Sequence, residues 1–146
     1  QIGTPHELYL QPHSEFVADF IGEANLLHGV VRPTGDEIVV EGDGWKANFA
    51  KDDPRSASIA KAQKVCVVLR PERIHAVPVG LGVANEGVGV IEDKIYLGVE
   101  YRLVVRMNDG GKVNLRSRDV TSIADMQAGD RIGMAWTTDD IVVIGA

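Results

Sequence analysis

Two groups of residues in this sequence have the types and spacing to do binding chemistry. The first is Arg70-Pro71-Glu72, where opposite charges flank a proline directly after the apolar run Val65-Cys66-Val67-Val68-Leu69. Proline has no N–H for a ladder and ends a strand. Its neighbours then present either an ion pair at an interface or a local turn with exposed charges. The second group is made of arginines. Arg102 and Arg106 share one face of an alternating segment, and Arg116 and Arg118 lie across the turn Asn108-Asp109-Gly110-Gly111. Guanidinium groups gathered on one hairpin bind an oxyanion or a partner's carboxylates. The other reading is a solvated face balanced by Glu100, Asp109 and Asp119. Strand register decides which of these side chains meet.

Other chemistries lack their residues. The sequence has no GxxxxGK[ST] loop to cradle phosphates, and no GxSxG, HExxH or CxxC. His6, His13, His28 and His75 are scattered without ligand-like spacing. Asp52-Asp53 and Asp139-Asp140 are adjacent in sequence, so in extended chain they point to opposite faces and read as turn residues. Cys66 is the one cysteine and sits inside an apolar strand, which makes it a buried structural thiol.

The elements that position these groups are short and glycine-punctuated. From Asn25 onward the pattern has period two. Leu27–Arg32, Glu37–Glu41 and Trp45–Ala50 read as a three-strand meander, with Trp45, Ala47 and Phe49 on one face. The turns between them are Pro33–Asp36 and Gly42–Gly44. Lys51–Gln63 is polar, with one helical turn at Ala57–Ala62. Val65–Leu69 reads as a strand buried on both faces, and Arg73–Val77 resumes an extended pattern. After the glycine-rich Pro78–Asn85 comes a long extended segment, Glu86–Leu97, with Gly87, Gly89 and Gly98 as bend or bulge points. A hairpin, a short helix at Val120–Met126 and two closing strands, Arg131–Trp136 and Ile141–Ile144, complete the pattern. About ten short strands predict an all-β fold, a small barrel of the oligonucleotide/oligosaccharide-binding (OB) type. Asn25-Leu26-Leu27-His28-Gly29 and Asn85-Glu86-Gly87-Val88-Gly89 each put Asn before a strand containing glycine. Either two related β units or chance accounts for that echo.

Ahead of this body, Thr4-Pro5-His6-Glu7 has the signature of a helix start, and Pro12 ends that helix. Ser14 caps a second, in which Phe16, Val17, Phe20 and Ile21 form one apolar face and Gly22 is the stop. Gln1-Ile2-Gly3, with no methionine before it, reads as the cut end of a longer protein. The 146 residues suffice for a domain with a real core, and 45% apolar with 25% charged residues is the globular norm. No run approaches the ~20 apolar residues of a spanning helix, and no basic-then-apolar leader opens the chain. Net charge is −6, with ten acids against five bases in residues 1–62 and eleven against ten in 63–146. That balance and only eight aromatics argue against nucleic acid as a partner.

Residues 1–27, QIGTPHELYLQPHSEFVADFIGEANLL, resemble the junction in ATP-binding subunits of ABC importers where the ATPase domain ends and the regulatory domain begins. The pattern there is Gln-x-Gly-Thr-Pro-x-Glu-x-Tyr, a proline, then Phe-Val-Ala-x-Phe-Ile-Gly. This chain matches it with Gln1, Gly3, Thr4, Pro5, Glu7, Tyr9, Pro12, Phe16, Val17, Ala18, Phe20, Ile21 and Gly22. Arg70-Pro71-Glu72, Tyr96-Leu97-Gly98 with Glu100 and Arg102, and Gly129–Gly133 with Trp136 and Asp140–Val143 resemble segments of the same regulatory domain. The resemblance covers nearly the whole chain and is to the TOBE (transport-associated OB) domain of spermidine/putrescine-, iron- or maltose-type importers. Glu23–Leu27 leans to the polyamine group.

The resemblance implies a division at residues 1–24, a helical tail of the nucleotide-binding domain, and 25–146, the TOBE/OB-like domain. It implies a regulatory and dimerisation role, without catalysis and without a metal or cofactor in this stretch. ATP and magnesium would belong to the ATPase domain upstream. Partners would be a second copy of the chain, that ATPase domain and, indirectly, the membrane permease subunits, at the cytoplasmic face of the membrane. Arg70, Pro71, Glu72, Arg102, Arg106 and Arg116 are the candidate interface or ligand residues, and Phe16, Val17, Phe20 and Ile21 the candidate domain-junction face. The alternative from another class is a stand-alone small-ligand or oxyanion-binding barrel using the arginine face.

Overall fold

Alternation of buried and exposed side chains builds the strands, and glycines at positive φ turn them. In the computed structural model, which describes residues 24–145, ten antiparallel strands form one curled sheet with an OB-like architecture. In chain order they are β1 (Asn25–Thr34), β2 (Glu37–Gly42), β3 (Trp45–Ala50), β4 (Lys64–Leu69), β5 (His75–Val77), β6 (Glu86–Tyr96), β7 (Tyr101–Arg106), β8 (Lys112–Ser117), β9 (Arg131–Ala135) and β10 (Val142–Gly145). Helix α1 (Ser56–Lys61) precedes β4 and α2 (Val120–Ile123) precedes β9. Single 3-10 turns follow β4 and β9, at Pro71–Arg73 and Thr138–Asp140. No helix among the described residues is long and apolar enough to cross a membrane.

The sheet runs β10-β4-β1-β2-β3-β6-β7-β8, with β9 between β6 and β5. This order conceals a repetition. The halves β1–β5 and β6–β10 have the same sequence of elements, and the internal register repeats. The pair Leu27↔Val67 recurs as Gly87↔Met134, and Gly29↔Val65 recurs as Gly89↔Ile132. Ile38↔Phe49 recurs as Leu103↔Leu115, and Val40↔Ala47 as Val105↔Val113. The closing strands are exchanged between the halves. His75 faces Ala135, Ala76 faces Met134 and Val77 faces Gly133. A shift of 67 residues carries these onto Val142 facing Val68, Val143 facing Val67 and Ile144 facing Cys66. The echo at Asn25 and Asn85 therefore belongs to two related β units.

One core is shared by both halves: Val40, Ala47, Phe49, Val65, Val67 and Leu69 from the first join Leu103, Val105, Leu115, Ile132 and Met134 from the second. Residues 65–69 are all buried, because β4 lies between β1 and β10 and its second face covers Cys66 and Val68 with Ile144. Each opening asparagine reaches into the other half. The Asn25 amide donates to the Asn114 carbonyl and accepts from the Asn114 N–H, both at 2.8 Å. Asn85 Oδ1 accepts from the Asn48 N–H at 2.7 Å, and its amide donates to Thr138 Oγ1, which donates onward to the Asn48 carbonyl. Asn48 and Asn114 occupy equivalent places, opposite Val39 and Val104.

Three sequence expectations need correction. The bulge in β6 falls between Ile91 and Asp93 and uses no glycine. Gly87 and Gly89 serve close approach: a Cβ on Gly89 would stand 2.4 Å from Val105 Cγ1 and 2.7 Å from the Arg106 carbonyl oxygen. Pro33 and Thr34 continue β1, so the turn is Gly35-Asp36. The second short helix stops at Ile123, where the Lys94 ammonium takes the carbonyls of Ile123, Ala124 and Met126. The helices expected before Gly22, with Phe16, Val17, Phe20 and Ile21, lie outside the described residues.

Replacing either bridging asparagine strands buried backbone groups, which costs about 1–3 kcal/mol. Asn25→Ala and Asn85→Ala should each lower the urea midpoint accordingly with an unchanged m-value, measured by intrinsic fluorescence. Gly89→Ala should destabilise by a similar ~1–3 kcal/mol, because the backbone it meets cannot rotate away.

Candidate interface site

Strand β4 ends at the buried Leu69, and the backbone at Arg70 stays extended. Pro71 then starts the 3-10 turn, with its ring buried and its φ set in advance. The Arg73 N–H closes the turn on the Arg70 carbonyl at 3.0 Å. Arg70 Nε donates to Glu72 Oε2 at 2.8 Å, with both side chains about half exposed. That hydrogen bond, helped by a backbone donor and by the nearby Arg116, holds the Glu72 carboxyl below its ordinary range.

Strand β8 lies against this turn and extends the charged group. Arg116 Nε donates to Glu100 Oε2 at 2.6 Å, and Arg118 Nε stands 3.9 Å from Glu100 Oε1. Glu100 is buried, and its two arginines supply the compensation a buried carboxylate needs. Arg102 faces Arg116 across β7 and β8. Five of the six candidates, Arg70, Pro71, Glu72, Arg102 and Arg116, thus stand in one neighbourhood. Arg106 does not: it faces Lys112 at the other end of the hairpin. Four residues along a strand span ~13 Å, beyond the reach of one small anion.

The equivalent turn of the second half, Thr138–Asp140, has the same backbone and a different use. There the Thr138 hydroxyl is spent inside, between Asn85 and Asn48. Pro71 has no such group, and Arg70 and Glu72 face outward.

Two clefts flank Trp45. One, of about 410 Å³, is lined among others by Trp45, Lys46, Glu86, Gly87 and Arg131. The other, of about 180 Å³, is lined among others by Leu27, His28, Trp45, Met107 and Lys112. They are counterparts under the internal repeat, with Lys46 and Lys112, and Gly87 and Leu27, in matching places. Of their charged groups, Glu86 accepts from the Gly82 N–H at 3.1 Å, and Lys112 lies 3.2 Å from Glu92. No group of three metal-ligating side chains assembles among the described residues.

Sequence reasoning missed Arg55. Its guanidinium is buried, pairs with Asp53 at 2.8 Å and donates to the carbonyls of Ile141 and Thr138 at 2.6 and 3.2 Å. It also lies 5.0 Å over the Phe49 ring. Asp53-Pro54-Arg55 reads as an exposed turn, and nothing local marks partners more than eighty residues away.

The TOBE domain family profile matches residues 67–144. The spermidine/putrescine import ATP-binding protein PotA 1 of Pseudomonas aeruginosa is 34% identical over 128 residues, covering 84% of this chain and 32% of that protein. PotA of Rubrobacter xylanophilus is 27% identical over 145 residues, covering 99% and 38%. PotA of Thermotoga maritima is 28% identical over 150 residues, covering 99% and 40%. The chain spans about a third of the length of these relatives. Among solved structures, the molybdate-bound cytoplasmic molybdate-binding protein ModG shares the fold with a TM-score of 0.60. Its identity is 14%, and the match covers 84% of this chain and 96% of that one.

The depressed Glu72 carboxyl gives a pH test. Its pair with Arg70 stabilises the folded chain above the ordinary carboxylate range, and that contribution is lost as pH falls through the lowered folded value. Arg70→Ala should move the Glu72 titration, followed by carboxyl carbon NMR, back up toward the ordinary range. Glu72 titrating unchanged in that variant would show that another group sets it.

Proposed function

The chain belongs to the TOBE domain family, and from that premise we propose that it is the non-catalytic regulatory and dimerisation domain of the ATP-binding subunit of an ABC-type importer, of polyamine type. One observation carries the reading. The chain aligns along nearly its whole length with about two-fifths of proteins named as ATP-binding proteins of spermidine/putrescine import. Nucleotide chemistry is left to the remainder of such a subunit, because this sequence carries no phosphate-cradling GxxxxGK[ST]. The chain itself would sit at the cytoplasmic face of the membrane, held there through the permease subunits.

The mechanism is a bias on assembly. A domain that pairs with its copy adds a contact whose free energy differs between the open and closed arrangements of two ATPase subunits. Its exchanged strands make it stiff enough to transmit that difference. The outward charges of Arg70, Glu72, Arg102 and Arg116 have the composition of an interface rim, with arginine prominent.

A second reading, a small-oxyanion binder, draws on Arg102 facing Arg116 and on the fold shared with ModG. Glu100 already pairs with Arg116 and lies 3.9 Å from Arg118, which weakens that site as an anion cradle.

Light scattering over a concentration series should show the 146-residue chain passing from monomer to dimer. A monomer at the highest concentration would remove dimerisation from the proposal. Calorimetry with molybdate, sulfate and phosphate separates the readings: silence with all three ends the oxyanion reading.

A further inference from the structure

Four of the eight large apolar side chains exposed among the described residues fall within residues 95–99, at the tip of the β6–β7 hairpin. Ile95, Tyr96, Leu97 and Val99 are 39%, 57%, 49% and 68% accessible. Only Gly98 interrupts them, at a φ of 91° that suits glycine in the turn. Together they expose an apolar patch on the order of 400 Å², the scale at which a patch marks a contact surface.

The tip is held in shape before anything meets it. The Leu97 N–H donates to the Glu100 carbonyl at 2.8 Å, the Tyr96 hydroxyl donates to the Gly98 carbonyl, and the Tyr96 ring lies 4.9 Å from that of Tyr101. Groups fixed in advance lose little freedom on contact.

Charge selects the occupant. No charged residue lies between Lys94 and Glu100. Both of these are engaged within the chain. The Lys94 ammonium is held by the carbonyls of Ile123, Ala124 and Met126. Glu100 is buried and accepts from Arg116 at 2.6 Å. Farther out both signs are present: Arg70 pairs with Glu72 and Arg116 with Glu100, and Arg118 stands 3.9 Å from the same Glu100 carboxylate. A charged partner finds no sign to match at the centre of this tip, and an anionic lipid surface finds no base there. An identical tip meets it without setting like charges face to face at that centre, as a two-fold contact requires of a surface that must complement itself.

We propose that the tip is where two copies of this chain meet, with Tyr96, Leu97 and Val99 of each packed on the same residues of the other about a two-fold axis. The inference rests on the dimerisation reading and deepens it by naming the contact. Its size sets its strength. Two such patches bury on the order of 800 Å² before the charged rim is counted, which is the class of weak, transient contacts. A contact that differs between open and closed arrangements of two subunits has to be breakable, and this one is.

Sedimentation equilibrium of the full 146-residue chain over a concentration series tests it. Leu97→Asp and Val99→Asp put a charge at the centre of the contact and should each weaken dimerisation about tenfold or more, with the fold intact by circular dichroism. Leu81→Asp, at a similarly exposed apolar position between β5 and β6, should leave dimerisation unchanged. As a second measurement, Val99→Cys should form a disulfide between chains on mild oxidation, and Leu81→Cys should not; the native Cys66 is buried. Dimers of the parent chain that survive both Leu97→Asp and Val99→Asp would overturn the tip contact while sparing dimerisation. A parent chain that stays monomeric throughout would overturn both. Equal loss with Leu81→Asp, or equal cross-linking of the two cysteine variants, would overturn the tip as a specific contact. Retention of a monomeric parent chain on phosphatidylglycerol vesicles, lost with Leu97→Asp, would make a lipid surface the occupant and overturn the proposal as well.

Discussion

Everything in this domain depends on a backbone constraint: the last strand of each half pairs with the fourth strand of the other. Edge strands of three and four residues bring too few hydrogen bonds to hold by themselves. β5 persists because β9 offers it a ladder, and β10 persists because β4 does. Neither half can complete its sheet alone. The exchange also fits a β4 that reads as apolar throughout, since the strand has neighbours on both edges and both of its faces are buried.

Side chains reinforce the exchange at the same joints. Asn25 and Asn85 occupy matching positions, and each uses its amide oxygen to accept from a backbone N–H of the opposite half. Arg55 does the same with charge, carrying the turn before α1 onto the carbonyls beside β10. A buried guanidinium is tolerated here because carboxylate and carbonyl acceptors surround it. These ties all cross between the halves, so displacement of one half has to carry the other.

Much of this was legible in the sequence because period and turn chemistry are local. The β3 face of Trp45, Ala47 and Phe49, the proline stop at Pro71 and the turn at Asn108–Gly111 are each visible within a few residues. The repeated Asn-to-glycine echo was visible too, but its meaning rests on pairings that only the folded chain contains. β5 and β10 cannot be assigned a partner from their own residues. The separation of Arg106 from Arg102 and Arg116 was missed because sharing a face says nothing about distance along it. The β6 bulge was misplaced because a bulge needs an extra residue, and glycine is only one way to accommodate it.

The repeat itself separates what serves the fold from what is left for other purposes. Where the halves agree in kind, as at Ile74 and Ile141 or Phe49 and Leu115, the residues are buried and the reason is packing. Where they differ on a common backbone, one copy has been released from that duty. Thr138 keeps the duty, since its hydroxyl completes the tie between Asn85 and Asn48. Its counterpart Pro71 cannot, and Asn25 reaches Asn114 without help. Arg70 and Glu72 pair with each other instead. Their pair faces outward beside Arg116, Glu100 and Arg118.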